Sequence, residues 1–121
     1  MVDDEPDIRK LVRLFAERGG YRVTEAATAE DAINVLQDPS TEFHLLLTDI
    51  VMPGMSGLAL AAQAHQLRPS LPVMFMTGFA DEFQAQLSGS VVLRKPFKAP
   101  ELLTAIQDVI GLPHAFSRET I

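Results

Sequence analysis

The sequence predicts an α/β domain built on a doubly wound parallel sheet, and three observations carry that prediction. Short apolar runs alternate along the chain with longer amphipathic stretches, the pattern of strands alternating with helices. Two of the runs are apolar on both alternate faces, as expected of strands covered by helices on either side. Glycine and proline fall between the segments as punctuation and are not gathered into a linker. Strand and helix alternation implies right-handed crossovers, giving about five parallel strands and about five helices.

The elements follow in order. After the acidic start Asp3-Asp4-Glu5, Pro6 suits a first helical turn, and Ile8, Leu11, Val12 and Phe15 recur at helical spacing until Gly19-Gly20. Tyr21 to Ala26 has strand-like Tyr and Val. Thr28 with Asp31 three residues later resembles a capping box opening a helix through Ile33, Val35 and Leu36, which Pro39 ends. Phe43 to Thr48 is apolar apart from His44 and reads as a buried strand closed by Asp49. A loop with Pro53, Gly54 and Gly57 leads into a helix carrying Leu58, Leu60, Ala61, Ala64 and Leu67, then the strand Val73 to Met76 ending at Thr77. A short stretch from Asp81 to Leu87 predicts a short or irregular fourth helix. The strand Val91 to Leu93 and a last helix from Pro100 through Leu102, Leu103, Ile106, Val109 and Ile110 precede Gly111. The domain therefore spans residues 1–111 and a tail spans 112–121.

Composition narrows the function. A length of 121 residues fits one domain, and 47% apolar with 21% charged residues supplies a real core. Ten basic against sixteen acidic side chains give a net charge of -6, the wrong sign for drawing a polyanion to the surface, so direct nucleic-acid binding is not expected. The longest apolar run, Leu58 to Ala62, falls far short of the roughly 18 to 20 residues of a membrane span, so no membrane insertion is expected. The acidic beginning is unlike a secretory signal, and the absence of cysteine removes disulfides, thiolate zinc sites and thiol nucleophiles. These features fit a reducing, cytoplasmic setting.

In an open parallel sheet functional residues gather at the carboxyl ends of strands. Here Asp3 and Asp4 follow the first strand, Asp49 the third, Thr77 the fourth and Lys95 the fifth. Three carboxylates brought together repel and need a cation or proton, and an oxygen-only ligand set favours Mg²⁺. An aspartate beside Mg²⁺ can attack phosphorus to give an aspartyl phosphate, while an ammonium and a hydroxyl hold the transferred oxygens. Asp49, Lys95 and Thr77 match those needs.

At these residues the chain resembles a response-regulator receiver domain, the flavodoxin-like phosphoacceptor of two-component signalling. The matching pieces are Val2-Asp3-Asp4-Glu5-Pro6, the run from Leu47 through Asp49, Pro53 and Gly54 to Gly57, Thr77-Gly78, and Lys95-Pro96-Phe97. The resemblance implies strand order 2-1-3-4-5 with helices on both faces. It implies that Asp49 accepts a phosphoryl group from a phosphohistidine of a histidine kinase or a histidine phosphotransfer protein. It further implies that Asp4, Asp49 and the Val51 carbonyl bind Mg²⁺, with Asp3 assisting through water. Thr77 and Lys95 would contact the phosphoryl oxygens, Lys95-Pro96 would be cis, and Val51 and Phe79 would tune phosphoryl lifetime. Such a domain is a signalling module that phosphorylates and dephosphorylates only itself.

The chain departs from the pattern in places. Only Met1 and Val2 precede the acidic pair, so the first, central strand is expected to be short and the domain destabilised or unusually assembled, with the start of the sequence inside the native domain. Val92 stands where the family often has Tyr or Phe, and the brief stretch from Thr77 to Lys95 reduces the fourth helix. That short stretch and Arg94-Lys95-Pro96-Phe97 resemble receivers of hybrid histidine kinases. The chain is then either a stand-alone receiver or a receiver from a larger kinase.

Other readings compete. A haloacid-dehalogenase-like phosphatase also uses a strand-end Asp with Mg²⁺, but Asp49-Ile50-Val51 lacks its second Asp. An interaction module that is never phosphorylated is the third possibility. Singly, each residue has a plainer role: a helix-start carboxylate, a β-branched strand residue at Thr77, a loop lysine. His44, His65 and His114 lack metal-ligand spacing and are assigned to strand, helix surface and tail.

Overall fold

In the computed structural model, which describes residues 1–79, 87, 89–111 and 120–121, the amphipathic stretches form helices around a parallel sheet. The order is α1 (Pro6–Arg18), α2 (Ala29–Leu36), β1 (Leu46–Asp49), α3 (Gly57–Leu67), β2 (Val73–Thr77), β3 (Val91–Arg94) and α4 (Ala99–Ile110). The three strands run in the order β1-β2-β3, all parallel, with Leu46 opposite Val73 and Met74 opposite Val91.

Local chemistry accounts for the helix ends. Pro6 starts α1 and Gly19 caps its C-terminus. Thr28 caps α2 by accepting the Asp31 N–H at 3.1 Å, the bond its spacing predicts. Ser56 caps α3 by accepting from the Ala59 N–H at 3.2 Å. Pro100 stands in the first turn of α4, and Gly111 closes it with φ 80°, a conformation that favours glycine.

Strand alternation sorts the core onto two faces. Leu45, Leu47, Met74 and Met76 pack with Val12 and Ala16 of α1 and Leu102 and Ile106 of α4. Leu46 turns the other way, toward Ala32 and Leu36 of α2 and Leu60 and Ala64 of α3. Met1 joins the first cluster and Val2 the second, so the dipeptide alternates as a strand does.

Two of the expected strands are present as isolated bridges among the described residues: Val2 pairs in parallel with both Ala26 and Thr48, and Arg22 with Thr120. The strand expected from Phe43 begins its regular ladder only at Leu46, because the N–H of His44 donates to the Thr120 oxygen at 2.8 Å, one residue out of the register that Val2 and Thr48 set. The expected short fourth helix and residues 112–119 of the tail lie outside the described residues, apart from the buried Leu87.

Candidate functional site

The site is assembled by the carboxyl ends of neighbouring strands. The N–H of Val2 donates to the Leu47 carbonyl (2.8 Å) and the N–H of Asp49 to the Val2 carbonyl (2.9 Å), which sets Asp3 beside Asp49. Asp3 is wholly buried. Its Oδ1 accepts from the Glu5 N–H (2.9 Å), its Oδ2 lies 2.8 Å from Lys95 Nζ, and its carbonyl accepts from Arg9 Nη1 (2.7 Å). Arg9 thus ties the first turn of α1 to the acidic pair, a contact no sequence motif announces.

Asp49, 5% exposed, receives the Ile50 N–H on Oδ1 at 2.9 Å and holds Oδ2 3.2 Å from Lys95 Nζ. Lys95 is delivered from just beyond β3: its N–H donates to the Thr77 carbonyl (2.9 Å), the Lys95–Pro96 peptide is cis, and Phe97 is buried in the core. Thr77 is buried, and its Oγ1 accepts the Phe79 N–H at 3.0 Å. Carboxylate oxygens of Asp3, Asp4 and Asp49 lie within 4.8 Å of one another. Val51 and Phe79 stand exposed at the rim, 48% and 53% respectively.

The electrostatics follow from this crowding. Burial pushes the Asp49 carboxyl above its ordinary value; the Lys95 charge opposes that rise and Asp3 reinforces it. Burial alone would lower Lys95, but Asp3 and then Asp49 outweigh it, so the ammonium is held protonated more firmly than usual. Three carboxylates against one ammonium leave an excess of negative charge, and the donors are oxygens only. That set fits a hard divalent cation such as Mg²⁺.

Sequence reading placed Asp3, Asp4, Asp49 and Lys95 in one site, and the structure brings all four together. Thr77 joins through its backbone bond to Lys95. Arg9, on the Asp3 carbonyl, was missed. Gly57, read as loop punctuation and as the end of the matching run, lies directly against the Asp49 carbonyl, a close approach the sequence did not reveal. Away from the site, His44, assigned merely to a strand, accepts the Thr120 N–H on Nδ1 at 3.0 Å, a long-range contact with no local signal.

A parallel α/β fold with buried aspartates and a lysine at its strand ends defines an acidic-pocket domain. The family model of the response regulator receiver domain matches residues 1–107, and the chain belongs to that family. It is 36% identical over 114 residues to the response regulator receiver protein CpdR of Brucella abortus, covering 91% of this chain and 93% of that protein. It is 30% identical over 115 residues to the sensor kinase CckA of the same organism, but spans only 12% of that kinase. Among solved structures, the receiver domain of the hybrid histidine kinase CckA superposes with a TM-score of 0.77 at 28% identity, covering 90% of this chain and 94% of that one. A receiver domain from Clostridium thermocellum gives 0.78 at 25% identity, covering 90% of each chain.

Proposed function

We propose that this chain is a phosphorelay receiver that takes a phosphoryl group from a phosphohistidine onto Asp49 and thereby changes its contacts with a partner. The observation that carries the reading is the meeting of Asp3, Asp4 and Asp49 within 4.8 Å, with Lys95 Nζ 2.8 Å from Asp3 and 3.2 Å from Asp49. The donor is a histidine kinase or a histidine phosphotransfer protein. The full five-strand order 2-1-3-4-5 and a cytoplasmic location belong to the same reading; among the described residues no helix is long and apolar enough to cross a membrane.

In the transfer, an Asp49 carboxylate oxygen forms the new bond to phosphorus as the phosphorus–nitrogen bond breaks and the imidazole departs with the electron pair. Asp4, Asp49 and the Val51 carbonyl would hold Mg²⁺, with Asp3 acting through water. Bound there, the cation supplies charge neutralisation at the transferring oxygens. Lys95 moves from carboxylate to phosphoryl oxygen at little cost, since its partners already face one point. Thr77 fixes one oxygen through its hydroxyl, and Asp3, held by Glu5 and Lys95, keeps the pocket rigid. The domain turns over only its own phosphoryl group and is not a metabolic enzyme.

Acetyl phosphate with Mg²⁺ tests this. Mass spectrometry is expected to show one adduct about 80 Da heavier, acid-stable and base-labile, in the parent and none in Asp49→Asn. No adduct from acetyl phosphate or from a phosphohistidine donor would leave an interaction module as the better reading. Steady hydrolysis of small phosphate esters would favour the phosphatase.

A further inference from the structure

The turn that carries Asp4 into α1 is clamped by one residue of that helix. The N–H of Arg9 donates to the Glu5 carbonyl at 3.1 Å, and its Nη1 donates to the Asp3 carbonyl at 2.7 Å, so Arg9 holds the carbonyls of both residues that flank Asp4. The Asp3 carboxylate closes the same turn from within by accepting the Glu5 N–H at 2.9 Å. A peptide group is planar, so the orientation of the Asp3 carbonyl fixes the line along which the Asp4 N–Cα bond leaves it. Through that backbone the guanidinium acts on where Asp4 points.

Asp3 has a use for this partner. It is wholly buried, its N–H donates to the Ala26 carbonyl at 3.2 Å, and Glu5 and Lys95 engage its two carboxylate oxygens, which leaves the carbonyl to be met by Arg9. A charged donor makes that bond shorter and stronger than a neutral one would. Glu25 steers the donor in turn: its Oε1 lies 3.7 Å from Arg9 Nε, while its Oε2 lies 2.8 Å from Arg13 Nη1. The Arg9 side chain is 19% exposed against 50% for Arg13, so Arg9 belongs to the interior end of this chain of charges. Coulomb's law alone makes a cation beside three carboxylates a hindrance to a second cation. Geometry and charge therefore predict opposite effects of removing Arg9.

We propose that Arg9 is a positioning residue of the cation site: by holding the Asp3 and Glu5 carbonyls it keeps Asp4 aimed at the point where the oxygens of Asp3 and Asp49 converge, and Glu25 holds Arg9 in that pose. The inference rests on the receiver reading, in which Asp4 and Asp49 bind Mg²⁺. Removing a group that orients a metal ligand without touching the ion typically costs about 10- to 100-fold in metal affinity.

NMR titration of the Ile50 amide with MgCl₂, each variant held well below its melting temperature, reads that affinity with no phosphoryl transfer involved. Arg9→Met cannot donate and is expected to weaken Mg²⁺ binding by about tenfold. Arg9→Gln, whose amide stops short of the Nη1 position, is expected to match it. Arg9→Lys, shorter than Arg but still a charged donor, is expected to fall between Met and the parent. Coulomb repulsion alone gives the reverse order, with Met and Gln tighter than the parent and Lys equal to it. Any tightening in Arg9→Met overturns the proposal, as does a loss of stability with Mg²⁺ affinity unchanged. Arg13→Gln removes a charge from the same helix and is expected to stay within about twofold of the parent. An equal weakening there assigns the effect to α1 as a whole and overturns the role of the Asp3 carbonyl bond. If Arg9→Met does not fold, the order of the Lys and Gln variants decides. A parent that shows no Mg²⁺ shift overturns the receiver reading of the pocket and this inference with it, whereas equal binding by parent and Arg9→Met overturns the inference alone.

Discussion

Gly57 shows how much of the site depends on a single missing methyl. A Cβ built there would lie 2.0 Å from the Asp49 carbonyl oxygen and 2.9 Å from its carbonyl carbon, both backbone atoms that cannot swing aside. The close approach is fixed by the Gly57 N–H, which donates to the Ile50 carbonyl at 2.8 Å and so presses the start of α3 against the end of β1. Gly57→Ala is expected to destabilise the domain by about 3 kcal/mol, the upper part of the overpacking range, because backbone must move to admit it. Gly78→Ala is the control: nothing lies within 4 Å of its Cβ, and the change is expected to stay within about 0.5 kcal/mol. Urea unfolding of both variants measures the difference, and equal midpoints would refute the close-packing account. The sequence shows Gly57 in a turn-rich loop but not what it abuts, since contact between a helix start and a strand end is a property of the assembled sheet. The carboxylates and Lys95 were legible for the opposite reason: each ends an apolar run, and runs that pair side by side bring their ends together.

At the scale of elements, what could be read locally was read correctly. The Thr28 to Asp31 spacing marks the start of α2, and the hydrogen bond is there at 3.1 Å. Thr28→Ala removes the side-chain acceptor at that helix end and is expected to cost about 1 kcal/mol, with Thr28→Ser close to neutral, measurable by thermal unfolding. An equal loss in both variants would assign the effect to the methyl and not to the cap. The buried strands were legible because Leu45 to Leu47 and Val73 to Met76 leave no polar face to solvent. The central strand was legible only as short. Thr120 pairs with Arg22, 98 positions away by number, and no periodicity links residues that far apart. The same distance explains why the strand expected from Phe43 starts its regular ladder late: His44 is engaged by Thr120 and not by a neighbour in step with Val2.

Across the whole molecule, the two core faces meet at the Met1–Val2 strand, and a consequence is that the Met1 α-amine is buried where they join. Burial lowers its pKa from 8.0 to about 5, with Glu25 pulling weakly the other way. The unfolded 121-residue chain with a free amine therefore carries a proton between pH 5 and 8 that the folded chain sheds. Stability must then rise with pH across that window and level off above it, whereas below about pH 5 both states are charged and the full burial penalty applies. The change is at most roughly 4 kcal/mol for that pair of values. Asp49 acts in the opposite sense and elsewhere: its raised pKa makes stability fall as pH climbs through the acid range just above the ordinary carboxylate value. Histidines also titrate between pH 5 and 8, so the informative quantity is a difference between two otherwise identical chains. N-terminal acetylation removes the ionisable amine yet keeps an N–H to donate to Thr24. The acetylated chain is expected to be the more stable at pH 6, and the gap should narrow steadily toward pH 8, as followed by denaturant unfolding at each pH. Parallel curves would mean that the amine keeps its proton in the folded chain, and that the strand line carrying Asp3 and Asp4 is wetter than the packing of Met1 implies.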